Sequence, residues 1–323
     1  MALTESLYRR MGRLGAILLK RREAQRNAPK PETLQEHVFA WIKTIAWSLT
    51  VVTIINGLAL ASFVVPTGSM ESTVLAGEFL FVNKAVFGPS TPQIIPFFNR
   101  PLPYYKLPAI IAPKQGDVIV FVFPGNRDVV KPTAFEYYLK RCVATAGDVL
   151  QIKGGRVYVN GTEYALPENA QFMGWTPEQR LMVCDADREA TFPPGKGYTR
   201  DDYGPIRIPK EGDVITLTPE NFREWAVFIG REGHTVDAAL GTIDGKPATS
   251  YTVKRDYVFG MGDNRDNSLD SRFWGFIPEE DVVGTPMIVY WSWAPNDPVY
   301  GTRMTFGQRL KSIRWSRIGT IIN

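Results

Sequence analysis

Ile45-Ala46-Trp47-Ser48-Leu49-Thr50-Val51-Val52-Thr53-Ile54-Ile55-Asn56-Gly57-Leu58-Ala59-Leu60-Ala61-Ser62-Phe63-Val64-Val65 runs without a charged side chain into Pro66-Thr67-Gly68-Ser69-Met70. At about 1.5 Å of helix rise per residue, some 20 residues cross the hydrocarbon core of a bilayer. The run therefore predicts one transmembrane helix over residues 45–65. Its serines, threonines and asparagine dilute it, but hydroxyls bond back to a helix backbone. Residues 1–44 carry nine Lys and Arg against four Glu, a net charge of +5. Basic segments stay on the cytoplasmic side. Residues 1–44 are thus expected inside as a basic tail, and everything beyond Val65 outside. A buried core helix is the competing reading of the same run. A cleaved leader fits less well, because the tail is long and no small-x-small site follows.

The whole chain has 323 residues, 44% hydrophobic and 12% aromatic, with a net charge of only +4. Such a composition fits a folded protein and argues against disorder. So small a charge gives no reason to expect a nucleic-acid partner. Two cysteines, Cys142 and Cys184, leave a disulfide open, with free or buried thiols the preferred reading.

Past the apolar run the pattern changes to short strands. Glu78 to Asn83, Gly116 to Phe123 and Tyr137 to Val143 are β-rich segments bounded by turn residues. Gln151-Ile152-Lys153, Gly154-Gly155 and Arg156 to Asn160 read as a hairpin. Residues 162–254 read as more short strands, with a short helix between Thr218 and Arg231. The proline- and aromatic-rich stretch 87–113 cannot be a central strand. It reads as a loop that lies over the protein's own core or dips into the membrane interface. Many short strands with regular turns indicate a mainly β protein, a barrel or sandwich.

The chemistry narrows by elimination. His37 precedes the span, and His234 sits in a Gly- and charge-rich loop, so a Ser-His-Asp triad is poorly supplied. One external histidine and two distant cysteines do not make a zinc site. Neither Ser-x-x-Lys nor Gly-x-Ser-x-Gly occurs. Ser69 then needs a lysine as its base, and lysine serves only when neutral, which burial favours. Lys140 shares a strand face with Tyr138 and Cys142 by the period-two rule. Taken alone, that heptamer fits a solvent-facing lysine equally well. In Gly262-Asp263-Asn264-Arg265-Asp266-Asn267-Ser268-Leu269-Asp270-Ser271-Arg272, the pairs Asp263/Arg265 and Asp270/Arg272 suggest a hydrogen-bonded scaffold.

Together these segments resemble the type I signal peptidases, membrane-bound Ser/Lys proteases that remove signal peptides from exported proteins. The resemblance extends to Asp202-Tyr203-Gly204-Pro205 and Arg314-Trp315-Ser316-Arg317-Ile318-Gly319. It implies Ser69 as nucleophile, Lys140 as general base and Ser268 as the hydroxyl orienting the amine. It implies an oxyanion hole from Thr67 and the Ser69 amide. It implies Asp270 and Arg272 as a supporting ion pair, with Asp263 and Arg265 as further supporting residues. Val65, Met70, Val74, Tyr138 and Leu139 are the implied walls of shallow pockets for small residues. The chain departs from the family pattern at Glu71-Ser72, where a Met-Pro or similar pair is usual, and at Ala144-Thr145-Ala146 before Gly147-Asp148.

The resemblance further implies a catalytic β domain of residues 66–153 and 255–323, interrupted by an inserted β-rich second domain at 154–254. It implies no metal or cofactor, a monomer, signal-peptide-bearing preproteins and the bilayer as partners, and an inner-membrane location facing the periplasm. Two other readings stay open: a membrane-tethered β domain that only binds, and a self-cleaving regulator of the repressor type. The second would need a DNA-binding head, for which residues 1–44 are too short.

Overall fold

Strand pairing beyond residue 59 builds the frame that holds Ser69 and Lys140. The computed structural model describes residues 33–90, 105–132, 135–295 and 304–322, together with the helical Ile17 and Lys20. Most of the basic tail and the centre of the 87–113 stretch lie outside the described residues. The first full helix, α1, covers Leu34–Leu58. Its 25 residues span about 37 Å at 1.5 Å each. The portion Leu34–Ile55 has a mean hydropathy of 1.8, long and apolar enough to cross a bilayer.

The expected span of 45–65 is corrected at both ends. The helix starts eleven residues earlier, with Glu36, His37 and Lys43 inside it, and stops at Leu58. Residues Leu60–Val64 form a strand instead, β1. An apolar run alone does not tell helix from strand. Here the edge of the next strand decides. Leu60 to Val64 pair antiparallel with Asn83 to Phe79.

The remaining strands follow in chain order: β2 Glu78–Asn83, β3 Val118–Val122, β4 Tyr137–Ala144, β5 Val149–Lys153, β6 Arg156–Val159, β7 Thr162–Glu163, β8 Tyr203–Arg207, β9 Val214–Thr216, β10 Val236–Asp237, β11 Thr242–Ile243, β12 Lys246–Pro247, β13 Ser250–Thr252, β14 Tyr257–Met261, β15 Ile277–Pro278 and β16 Val282–Ser292. One seven-stranded sheet, ordered β1-β2-β16-β3-β4-β14-β15, carries the site. Its pairs are antiparallel throughout. A second sheet, β7-β6-β5-β8, contains the expected hairpin with its Gly154-Gly155 turn. The protein is mainly β with one N-terminal apolar helix, as the strand pattern implies.

Residues 162–254 hold more helix than their punctuation suggests. The helix α2, Pro177–Ala190, has no counterpart among the expected elements, whereas α3, Phe222–Arg231, falls inside the predicted Thr218–Arg231 segment. The core of this region is continuous with the site-bearing sheet. Leu150, Ile152, Tyr203 and Phe228 pack in one cluster with Val143 of β4 and Phe259 of β14. A separate apolar cluster lies under the nucleophile and includes Val65, Met70, Val74, Leu80 and Val120. A third joins Phe121, Cys142, Val258, Trp274 and Ile277.

Candidate active site

Ser69 sits in the turn between β1 and β2, and Lys140 in the middle of β4. Two apolar clusters bring them together, because residues of β4 alternate between them. Leu139 packs against the cluster that holds Met70. Tyr138 and Cys142 face the other, with Trp274. Lys140, on the Tyr138 face, is 3% exposed. Its Nζ lies 2.7 Å from the Ser69 Oγ and donates to the Leu139 carbonyl at 3.0 Å. The rings of Tyr138 and Trp274 stand 5.8 and 6.0 Å from the amine. Burial lowers its pKa to about 8, against the opposing pull of Asp270 and Asp263 and with help from Arg272. An amine held dry this way is still mostly protonated at pH 7, but its neutral fraction there is on the order of a hundredfold larger than that of an exposed lysine and grows to about half near pH 8, which is what a base needs. The reading of Lys140 as a solvent-facing lysine is thereby excluded.

Of the four supporting charges, Asp270 and Arg272 pair with each other, Asp263 pairs with Arg141 outside the set, and Arg265 is left over. Arg141 grips Asp263 through Nε and Nη2 at 2.9 and 2.8 Å. Asp263 also accepts from the Thr73 hydroxyl at 2.5 Å. Arg272 grips Asp270 in the same two-pronged way, at 2.9 and 2.8 Å. Burial works against ionisation of Asp270, but that guanidinium holds its carboxyl below the usual range. Removing one partner from a buried pair strands a charge, so both pairs lock their loops. Arg265 does not pair with Asp263 as its spacing suggested. Asp263 is taken by Arg141, and Arg265 lies buried with Nε and Nη2 making no hydrogen bond. Burial, and then the nearby Arg272 charge, push its pKa down.

Ser268, expected to orient the lysine amine, makes no side-chain hydrogen bond. The Leu139 carbonyl takes the amine's second bond instead. Ser268 does lie close by. A Cβ built on Gly262 would fall on the Ser268 hydroxyl and 2.5 Å from the Ser69 carbonyl oxygen. Only glycine at 262 lets those two chain segments meet. Thr67 is exposed, with Oγ1 3.5 Å from the Ser69 Oγ.

The expected pocket residues are brought together in part. Val65, Met70 and Val74 share one cluster with the partly buried Leu139. Met70 and Val74 are 1% and 0% exposed, so they lie beneath the surface as a floor. Tyr138 belongs to the other cluster, stacked on Phe123 at 4.3 Å. His234 bonds to Asp244 at 2.6 Å, with no serine as its partner. Both cysteines are free, and burial pushes the Cys142 thiol well above its ordinary pKa.

Asn264 escaped the reading of the sequence. Its N–H donates to the Ser69 carbonyl at 3.1 Å and its Nδ2 to the Gly68 carbonyl at 3.2 Å. An asparagine between two charged residues was the available signal. Trp274 was missed as well, and only the fold brings it to Lys140.

The Ser69 hydroxyl is thus paired with a buried, desolvated lysine amine. A family model described as "Signal peptidase, peptidase S26" matches residues 38–291. The chain is 28% identical to signal peptidase I of Aquifex aeolicus over 236 residues, 72% of this chain and 75% of that one. It is 27% identical to signal peptidase I of Helicobacter pylori (strain ATCC 700392 / 26695) over 295 residues, 86% of this chain and 90% of that one. Against signal peptidase I of Haemophilus influenzae the identity is 28% over 263 residues, 76% of this chain and 67% of that one. With most of its length matched and a Ser–Lys contact at its centre, the chain belongs to the signal peptidase family, peptidase S26.

Proposed function

We propose that this signal peptidase cuts exported preproteins after small-x-small sites through a Ser69/Lys140 dyad and an acyl-enzyme. The observation that carries the reading is the 2.7 Å contact between Ser69 Oγ and an amine that is 3% exposed. Neutral Lys140 accepts the Ser69 proton as the Oγ attacks the scissile carbonyl carbon. Negative charge then develops on the carbonyl oxygen, where the Ser69 N–H and the Thr67 hydroxyl can donate. Losing one such donor typically costs about 10²–10³ in rate. Collapse of the intermediate breaks the C–N bond. The Lys140 ammonium returns its proton to the leaving amine, and water hydrolyses the ester at Ser69. Val65, Leu139 and Tyr138 shape pockets that admit small side chains, over the floor of Met70 and Val74.

Residues 66–153 and 255–323 act as the catalytic body and 154–254 as its insert. The chain works as a monomer. Helix α1 anchors it, with the basic N-terminal tail in the cytoplasm and the β body outside the inner membrane, in the periplasm. The positive-inside rule supports that orientation.

Two measurements test the dyad. Ser69→Ala and Lys140→Ala are each expected to abolish cleavage of a preprotein in detergent while leaving the circular dichroism spectrum unchanged. For the wild type, kcat/KM should rise with pH and level off above about 8, as the buried amine loses its proton. Full cleavage by either variant, or a rate insensitive to pH between 6 and 9, contradicts the assignment.

A further inference from the structure

Ser72, three residues past the nucleophile, has a left-handed backbone with φ at +79°. That conformation crowds the Cβ of any residue but glycine. A proline, whose ring fixes φ near −65°, cannot take it. Such a turn persists only when neighbours hold it.

Gln171 is the neighbour that does so. The Ser72 hydroxyl donates to the Gln171 Oε1 at 3.0 Å. Gln171 also forms an isolated parallel bridge with Asn264. Its N–H donates to the Asp263 carbonyl at 2.8 Å, and its carbonyl accepts from the Arg265 N–H at 2.9 Å. Asn264 in turn holds the carbonyls of Ser69 and Gly68. One glutamine thus reaches both backbone runs that fix the nucleophile, by its side chain on one and its main chain on the other. It arrives from between β7 and α2, and its own position is set. Two residues on, the Met173 N–H donates to Asp266 at 2.7 Å. Arg180 of α2 bridges Asp266 and Asp201 at 3.0 and 2.6 Å.

We propose that Gln171 is a positioning residue for Ser69, tying the 69–72 turn to the 263–265 loop. Through it the 154–254 segment acts on catalysis without touching substrate. This deepens, and rests on, the assignment of Ser69 as nucleophile. A reacting atom displaced by about 1 Å can lose up to 10²-fold in rate. The effect should fall on kcat, since the binding pockets lie on other residues.

The test uses the full-length enzyme in detergent and steady-state cleavage of a preprotein with alanine at −1 and −3. Gln171→Ala and Ser72→Ala are each expected to lower kcat about tenfold, with KM within about twofold of wild type. The double variant should be no slower than the slower single one. Ser72→Gly placed in the Gln171→Ala background should recover most of the rate, because glycine adopts φ +79° unaided. Unchanged kcat in Gln171→Ala overturns the proposal. So do additive losses in the double variant, or failure of Ser72→Gly to restore rate. If Gln171→Ala lacks a cooperative melt, Ser72→Ala alone decides, because it leaves the Gln171 backbone bridge in place. Cleavage retained by Ser69→Ala would defeat the nucleophile itself. An inactive Ser69→Ala beside a fully active Gln171→Ala would defeat only the positioning role.

Discussion

Replacing Lys140 by methionine separates what the residue does for the reaction from what it does to the fold. Its folded pKa is lowered by burial from 10.5 to about 8. At pH 7 both states carry the proton, and only the folded state holds it in a dry place. The shift corresponds to about 3 kcal/mol of lost stability. Lys140→Met is therefore expected to be inactive and more stable, with a melting point a few degrees higher. Between pH 8 and 10.5 the unfolded chain binds more protons than the folded one, so wild-type stability rises with pH and the advantage of methionine shrinks. Thermal melts at pH 7 and pH 10 read this directly. The Tyr138 and Cys142 neighbours of Lys140 were visible in the strand period. The ring of Trp274 was not, since its arrival depends on β14 and β15. Ser268 illustrates the converse. Its position next to the site was legible, but the bond to the amine that the resemblance implied is not made, because the Leu139 carbonyl takes that donor.

Elements were legible where periodicity was strong and ambiguous where it was not. Strands β2 to β6 sit where alternation and turns placed them. The apolar run 45–65 looked uniform, yet it splits into α1 and β1 because Leu60 to Val64 find the edge of β2. Helix α2 was hidden for a different reason. Leu181 and Met182 are exposed, so no apolar stripe marks its inner face. Its start was nevertheless written in Thr176-Pro177-Glu178-Gln179. The Thr176 hydroxyl accepts from the Gln179 N–H, and the Gln179 side chain reaches back to the Thr176 N–H, with proline at the first helical position. That reciprocal cap is a start signal. Thr176→Ala should destabilise the protein by about 1 kcal/mol and lower its melting point by about 2 °C, followed at 222 nm. Because α2 carries Arg180, the same change should also weaken the anchoring of the segment around Gln171.

Across the whole molecule, the nucleophile turn is held from a distance in sequence. Arg317 grips the fully buried Glu78 at 2.6 and 3.0 Å and donates to the Thr73 carbonyl at 3.0 Å. Arg314 donates to the carbonyls of Ala76 and Trp293 at 2.6 and 2.7 Å. Arg317→Ala leaves the buried Glu78 carboxylate without its counter-charge, with the Leu75 N–H and the Ser292 hydroxyl still donating to it, a loss of about 3 kcal/mol. Urea titration is expected to show that loss, and cleavage at sub-denaturing urea to fall with it, since Thr73 also braces Asp263. No sequence pattern announces such a pairing, because it joins the start of the body to a segment more than 230 residues later. The arrangement has a consequence for how the protease is born. A ribosome delivers Ser69 and Lys140 long before it delivers Arg314 and Arg317. A nascent copy carries both Ser69 and Lys140 but lacks the brace under them. Until those last residues are made, Glu78 and the Thr73 carbonyl lack the guanidinium that holds them in the finished fold.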